Sequence, residues 1–130
     1  MSTPSPWQYF TMEELTCHCG CRQMKMSPIM MPKLVAVRRR LGFPLPIGSG
    51  YRCPRYNAQV SETGTYGPHT TGHAVDVEIR GSSAYRLIQA AIDAGFTGIG
   101  VQQKGAARFI HLDDLTQADG FASRPWVWSY

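Results

Sequence analysis

Glycine and proline punctuate this chain so often that long regular elements have little room in it. There are 13 glycines and 9 prolines in 130 residues, about one position in six. Each proline withholds a backbone donor, and each glycine loosens the backbone. That argues against a helical bundle and for short elements joined by ordered loops. Hydrophobic residues make up 43%, enough for a core and too many for a disordered chain. The length suits one domain over residues 1–130. The net charge of +4 is mild. It suits an anionic partner such as nucleic acid, a membrane surface or a cell-wall polymer, and selects none of them. No apolar run approaches the ~18 residues that cross a bilayer, so membrane insertion is not expected.

Between the breaks, hydrophobic periodicity marks the elements. Residues 1–27 read as an irregular lead-in, packed down by Trp7, Tyr9 and Phe10, with one helical turn started by Thr11 and Glu14. A helix follows Ser27-Pro28, with Met30, Leu34, Val37 and Leu41 as its apolar stripe and Gly42 past its end. Pro32 makes it begin late or kink. Arg38, Arg39 and Arg40 read as a solvated, dipole-favoured last turn. Residues 43–52 predict a short strand, Pro54–Val60 a brief helix and 61–72 a loop. Residues 74–79 alternate as a strand, with Val75, Val77 and Ile79 on one face and Ala74, Asp76 and Glu78 on the other. Ser82 or Ser83 is expected to cap a helix whose stripe is Ala84, Leu87, Ile88, Ala91 and Ile92, stopped by Gly95. Residues 98–101 and 108–112 predict a hairpin. The expected class is α+β, a small antiparallel sheet flanked by helices.

The cysteines are Cys17, Cys19 and Cys21, clustered in the lead-in, and Cys53. They allow three pairings into two disulfides, a small zinc site with His18 in reserve, or reduced thiols packed together. Either linked state would tie the lead-in to the loop at Cys53. Closing that loop of about 30 residues could stabilise the fold by ~3 kcal/mol.

Chemistry concentrates elsewhere, in His69, Asp76 and His111. Gly72 permits the turn that folds His69 back beside Asp76 on the following strand. Two imidazoles and one carboxylate make a three-ligand set with a fourth position open, the pattern of catalytic zinc. Such an ion acidifies a bound water to a pKa near 7 and polarises a carbonyl.

Four segments resemble one family. Gly67-Pro68-His69-Thr70-Thr71-Gly72-His73-Ala74-Val75-Asp76 resembles the S-x-H-x-x-G-x-A-x-D motif of the zinc D-Ala-D-Ala carboxypeptidases, which share their fold with the hedgehog signalling domain. Ser49-Gly50-Tyr51-Arg52 with Asn57 resembles their S-G-Y-R…N segment, Phe109-Ile110-His111-Leu112-Asp113 their F-[IV]-H-[LV]-D strand, and Arg124-Pro125-Trp126 their R-x-W. The Cys-x-Cys-Gly-Cys string resembles that of a branch common among bacteriophage lysis and virion proteins. Together the segments cover most of residues 10–126, in the family's order.

The resemblance implies a peptidoglycan peptidase of the endolysin or virion-associated kind, with zinc held by His69, Asp76 and His111. It implies that Arg52 reaches into the cleft, where a guanidinium can pair a substrate carboxylate twice. Two departures stand out. The motif's Ser is Gly67. Many members carry a carboxylate general base three residues before the final His, where this chain has Arg108. Asp113 shares a strand face with His111 and is the best substitute, either taking a proton or orienting His111, with Glu78 the weaker candidate. His73 has the wrong strand phase for a ligand.

Other classes fit less. His111-Leu112-Asp113 is an H-x-D string of iron oxygenases, but no histidine follows it. A catalytically silent metal-binding or virion module of the same fold draws support from Arg108. A nucleic-acid binder lacks any basic-aromatic motif. The expected protein is a monomer acting on peptidoglycan stem peptides, with its +4 charge in place of a wall-binding module. Met1-Ser2-Thr3-Pro4-Ser5-Pro6 shows no Sec signal. That predicts residence in the host cytoplasm until release to the periplasm and cell wall, or carriage in a virion.

Overall fold

A computed structural model describes residues 3–130; the lead-in expected over 1–27 therefore begins on two residues outside the described ones. The helices are α1 (Met12–Leu15), α2 (Met30–Leu41), α3 (Pro54–Val60) and α4 (Gly81–Ala94). The strands are β1 (Ile47–Ser49), β2 (Ala74–Glu78), β3 (Gly98–Gln102), β4 (Phe109–Asp113) and β5 (Trp126–Ser129). The sheet order is β1-β2-β4-β3-β5. The protein is α+β as expected, but the sheet is mixed. Its first four strands are antiparallel, whereas β5 joins β3 in parallel. Sequence reading passed over β5, which follows a proline and pairs with a strand laid down long before it.

Alternation along the strands separates core from site. Val75, Val77, Ile99, Ile110 and Leu112 are buried in one hydrophobic cluster with Leu34 and Val37 of α2 and Leu87 and Ala91 of α4. The other phase runs Ser49, Asp76, His111, Gly100 and Trp128, one in-register row across all five strands. A row of paired positions shares one sheet face, so four strands deliver side chains to one place, and Gly100 on β3 leaves room between them.

Helix α2 starts at Met30, with Pro32 in its first turn, where a missing N–H costs nothing. The Ser27 hydroxyl accepts from the Ile29 and Met30 amides. The arginine run at its other end is fastened rather than simply solvated. Arg38 lies 4.5 Å from the centre of the Tyr9 ring, Arg39 donates to Gln8 at 2.7 Å and Arg40 pairs Asp93 at 2.8 Å. Helix α4 begins at Gly81, so neither Ser82 nor Ser83 is its cap. Its buried stripe takes in Ala90, while Ile92 is 56% exposed.

These placements separate two aliphatic truncations. Leu34→Ala, at a fully buried position, is expected to cost about 2–5 kcal/mol. Ile92→Ala is expected to cost no more than about 0.5 kcal/mol. Urea titrations of both variants check this, read as a fall in midpoint at constant slope.

Candidate metal centre and cleft

Each ligand candidate is positioned by backbone built around it. His69 sits in a 3₁₀ turn, Pro68–Thr71, that ends on Gly72 at φ +78. A side chain at Gly72 would run into the Lys25 carbonyl, so the turn needs glycine for both conformation and space. The turn is tied to the preceding loop twice. The Arg52 amide donates to the His69 carbonyl at 3.1 Å, and His69 Nδ1 meets the Gly50 carbonyl at 2.8 Å. Asp76 and His111 stand opposite one another on β2 and β4.

The three side chains converge. His69 Nε2 lies 3.2 Å and His111 Nδ1 3.0 Å from the same Asp76 oxygen. The outer ring nitrogens decide what this means. A carbonyl can only accept, so His69 Nδ1 carries the hydrogen it gives to Gly50. A carboxylate can only accept, so His111 Nε2 donates to Asp113 at 2.7 Å. A neutral imidazole has one N–H. Both inner nitrogens are then bare lone pairs aimed at a carboxylate oxygen. Three acceptors facing one another require positive charge between them, and His₂Asp is a donor set that zinc accepts. The residues therefore fit a metal ion. A proton is the other remedy. Burial works against charge on His111, yet Asp113 and Asp76 outweigh it and raise its pKa. Burial also opposes ionisation of Asp76, but the two imidazoles hold its carboxyl well below the usual range.

Asp113 is fully buried behind His111, away from the inner nitrogens. Arg124 grips it with Nε on one oxygen at 3.0 Å and Nη2 on the other at 2.9 Å. Burial opposes its charge, but His111 and Arg124 bring its pKa down to about 2. Both oxygens are committed, so this geometry orients His111 and leaves nothing to reach a substrate. Gly98, paired with Asp113 across the sheet, makes this possible, because a Cβ there would overlap the carboxylate.

Arg52 does face the site. Its Nε donates to Ser49 at 3.0 Å, Nη1 to Asn57 at 3.2 Å, and Nη2 stands 3.5 Å from Asp76. Asn57 in turn donates to Thr63 and the Gly64 carbonyl. A side chain at Gly67 would collide with Thr63, so the Thr63 hydroxyl fills the space of the motif's missing serine. Glu78 is on the exposed end of β2, beside Arg108. His73 pairs Asp114 at 2.7 Å and takes no part in the cluster.

A cleft of about 910 Å³ opens over the cluster. Arg52, Glu62, Tyr66, Trp126, Trp128 and Tyr130 are among its walls. A second hollow of about 520 Å³, holding Glu78 and Arg108, shares Arg52, Asp76 and Phe109 with it. The Trp128 ring lies 5.1 Å from His111, and Arg124 stacks on Trp128 at 5.0 Å. Burial pushes the Tyr130 phenol up, keeping it a donor. Sequence reading missed Trp128, Tyr130 and Glu62. The alternation Trp126-Val127-Trp128-Ser129-Tyr130 was the available signal for the first two.

A family model described as Peptidase M15 matches residues 8–113. No curated protein matches the chain. The matched span holds His69, Asp76, His111, Asp113 and all four cysteines, and stops short of Arg124.

The buried Asp113 makes stability acid-sensitive. Its carboxyl titrates near 2 in the fold against about 3.9 in an unfolded chain. What it adds is complete above pH ~4 and drains away as pH falls from there towards the folded value. In chelator, Asp113→Asn is expected to lose about 3–5 kcal/mol at pH 7 by leaving Arg124 and His111 unpaired. It should also flatten the loss of stability between pH ~4 and pH ~2. Urea midpoints across that range measure both effects.

Proposed function

The chain belongs to the Peptidase M15 family, and from that premise we propose that it is a zinc-dependent peptidase cutting peptidoglycan stem peptides. The observation that carries this reading is the trio of acceptor atoms on His69, Asp76 and His111 at the floor of a cleft that Arg52 overlooks. Zinc held by those three residues would supply a Lewis acid for the scissile carbonyl and acidify a water.

The protein's own groups do the rest. Arg52 is pre-aimed by Ser49 and Asn57 and keeps N–H groups free for a carboxylate, which every stem peptide carries. Arg124 cannot share that task, because its fork is spent on Asp113. Asp113 is a positioning residue that holds the His111 tautomer. Proton transfer falls to carboxylates with water access, and the walls of the two hollows carry Glu62 and Glu78. The hollows meet at Arg52 and Asp76, so a peptide can extend to both sides of the cut bond. The net charge of +4 favours an anionic wall. We place the enzyme, on the resemblance of its cysteine string, among phage lysis or virion proteins.

A second reading keeps the metal and loses turnover, because Arg108 stands where the family's base is expected. Mass spectrometry of muropeptides incubated with the zinc-loaded protein separates the two. The peptidase reading expects shortened stem peptides, abolished by chelation and by His69→Ala. Zinc-loaded protein that leaves every muropeptide intact would establish the silent module instead.

Arg52→Ala should lower kcat/KM about 10- to 100-fold while zinc content stays unchanged, the worth of one lost charge-assisted contact. Of Glu62→Gln and Glu78→Gln, the variant that keeps zinc but loses the acidic limb of the pH–rate profile identifies the base.

A further inference from the structure

Four cysteine sulfurs meet where the lead-in crosses the loop before α3, and the peptidase reading gives them no part. Cys17, Cys19 and Cys21 come from one loop, and Cys53 immediately precedes α3. All four are free thiols, and their sulfurs lie within 4.8 Å of one another. Cys19 is 3.5 Å from Cys17 and 3.6 Å from Cys53. Zinc–sulfur bonds of about 2.3 Å in a tetrahedron set the sulfurs roughly 3.8 Å apart. The observed spacing is thus close to that of a Cys₄ site.

The backbone is shaped for this meeting. The Cys17 amide donates to the Gln23 carbonyl at 2.9 Å and closes the loop. Gly20 at φ +92 and Arg22 at φ +63 are both left-handed, and they tighten it enough for alternate residues to turn inward. From the other side, the Cys53 amide donates to Cys17 Sγ at 3.3 Å, the kind of outer-shell bond that steadies a ligating sulfur. His18 is exposed and stays outside the cluster. An all-sulfur tetrahedral set suits zinc or an iron–sulfur centre, and a closed four-ligand set is structural rather than catalytic.

We propose that Cys17, Cys19, Cys21 and Cys53 hold a structural zinc, separate from the one assigned to the cleft. Its place in the fold gives it a task. Residues 50–53 are strung between the two clusters. Cys53 belongs to the thiol set, the Tyr51 amide is bonded to Leu15, the Arg52 amide to His69, and the Gly50 carbonyl to the His69 ring. A zinc clip at one end fixes the register of the segment that aims Arg52 and orients His69 at the other. The clip itself does not depend on the peptidase reading.

The test is metal analysis of the full chain, purified under reducing conditions from zinc-supplemented cells. About two zinc ions per chain are expected, falling to about one in His69→Ala and to about one in Cys19→Ser. Cobalt reconstitution adds a readout that needs no folded cysteine variant. Strong sulfur-to-cobalt charge-transfer absorption should develop in the wild type and persist in His69→Ala. One zinc that survives His69→Ala and disappears in Cys19→Ser would leave the clip standing and remove the cleft metal. Iron in place of zinc, two disulfides found by mass mapping after alkylation, or cobalt bound without sulfur absorption would overturn the clip.

Discussion

The buried carboxylate of Asp113 is the constraint around which the rest of the site is arranged. It has no exposure, yet it is ionised, gripped by the Arg124 fork and by the outer nitrogen of His111. Burying a charge this deeply is tolerable only when every lone pair is used. That requirement reaches outward through the fold. Gly98 must lack a side chain, or β3 could not lie beside β4. Arg124 must return from the far end of the chain, which places β5 against β3 and brings Trp128 over His111. One ion pair thus ties the segment from Arg124 onward to the sheet. It also fixes which imidazole nitrogen faces Asp76.

The same chemistry explains a division between floor and walls. The floor is made of Asp76 and His111, paired strand residues whose positions sheet hydrogen bonding sets within narrow limits, and of His69 from the Pro68–Thr71 turn. The walls come from the loop 61–67, the loop 121–124 and one face of β5. Loops accept substitution more readily than strands. The candidate ligands on the sheet are therefore held tightly, while much of the cleft wall rests on loops that can vary without disturbing them.

Much of this was legible in the chain, for a physical reason in each case. Strand β2 shows itself by alternation, α3 by its proline start, and α2 by an apolar stripe, because local patterns carry local structure. His69 and Asp76 could be grouped because the motif that holds them is short and its spacing is rigid, and His111 joined them through a second segment that resembles the same family. What escaped were features set by distant partners. The parallel addition of β5, the exposure of Ile92 and the fastening of Arg38–Arg40 all depend on what arrives from elsewhere in the chain. Asp113 shows the limit most clearly. Its strand phase places it correctly beside His111, as sequence reading expected. Phase says nothing about Arg124, and it is Arg124 that turns a candidate base into an orienting group.

The departures from the family's motif follow the same logic. Gly67 looks like a lost serine until Thr63 is seen in its space, bonded to the Asn57 amide. Asn57 holds Arg52, so a hydroxyl supplied from a different loop keeps the guanidinium aimed. Arg108 is not compensated in this way. It lies at the mouth of the smaller hollow with Glu78, and its Nε is bonded to the Gly105 carbonyl. A cation there raises the positive potential of the hollow that Glu78 also lines. Motif positions that support another side chain can be refilled from anywhere that reaches the same space. A position that must itself exchange a proton admits no such substitute, and the residue that performs that step has to be sought among groups open to water.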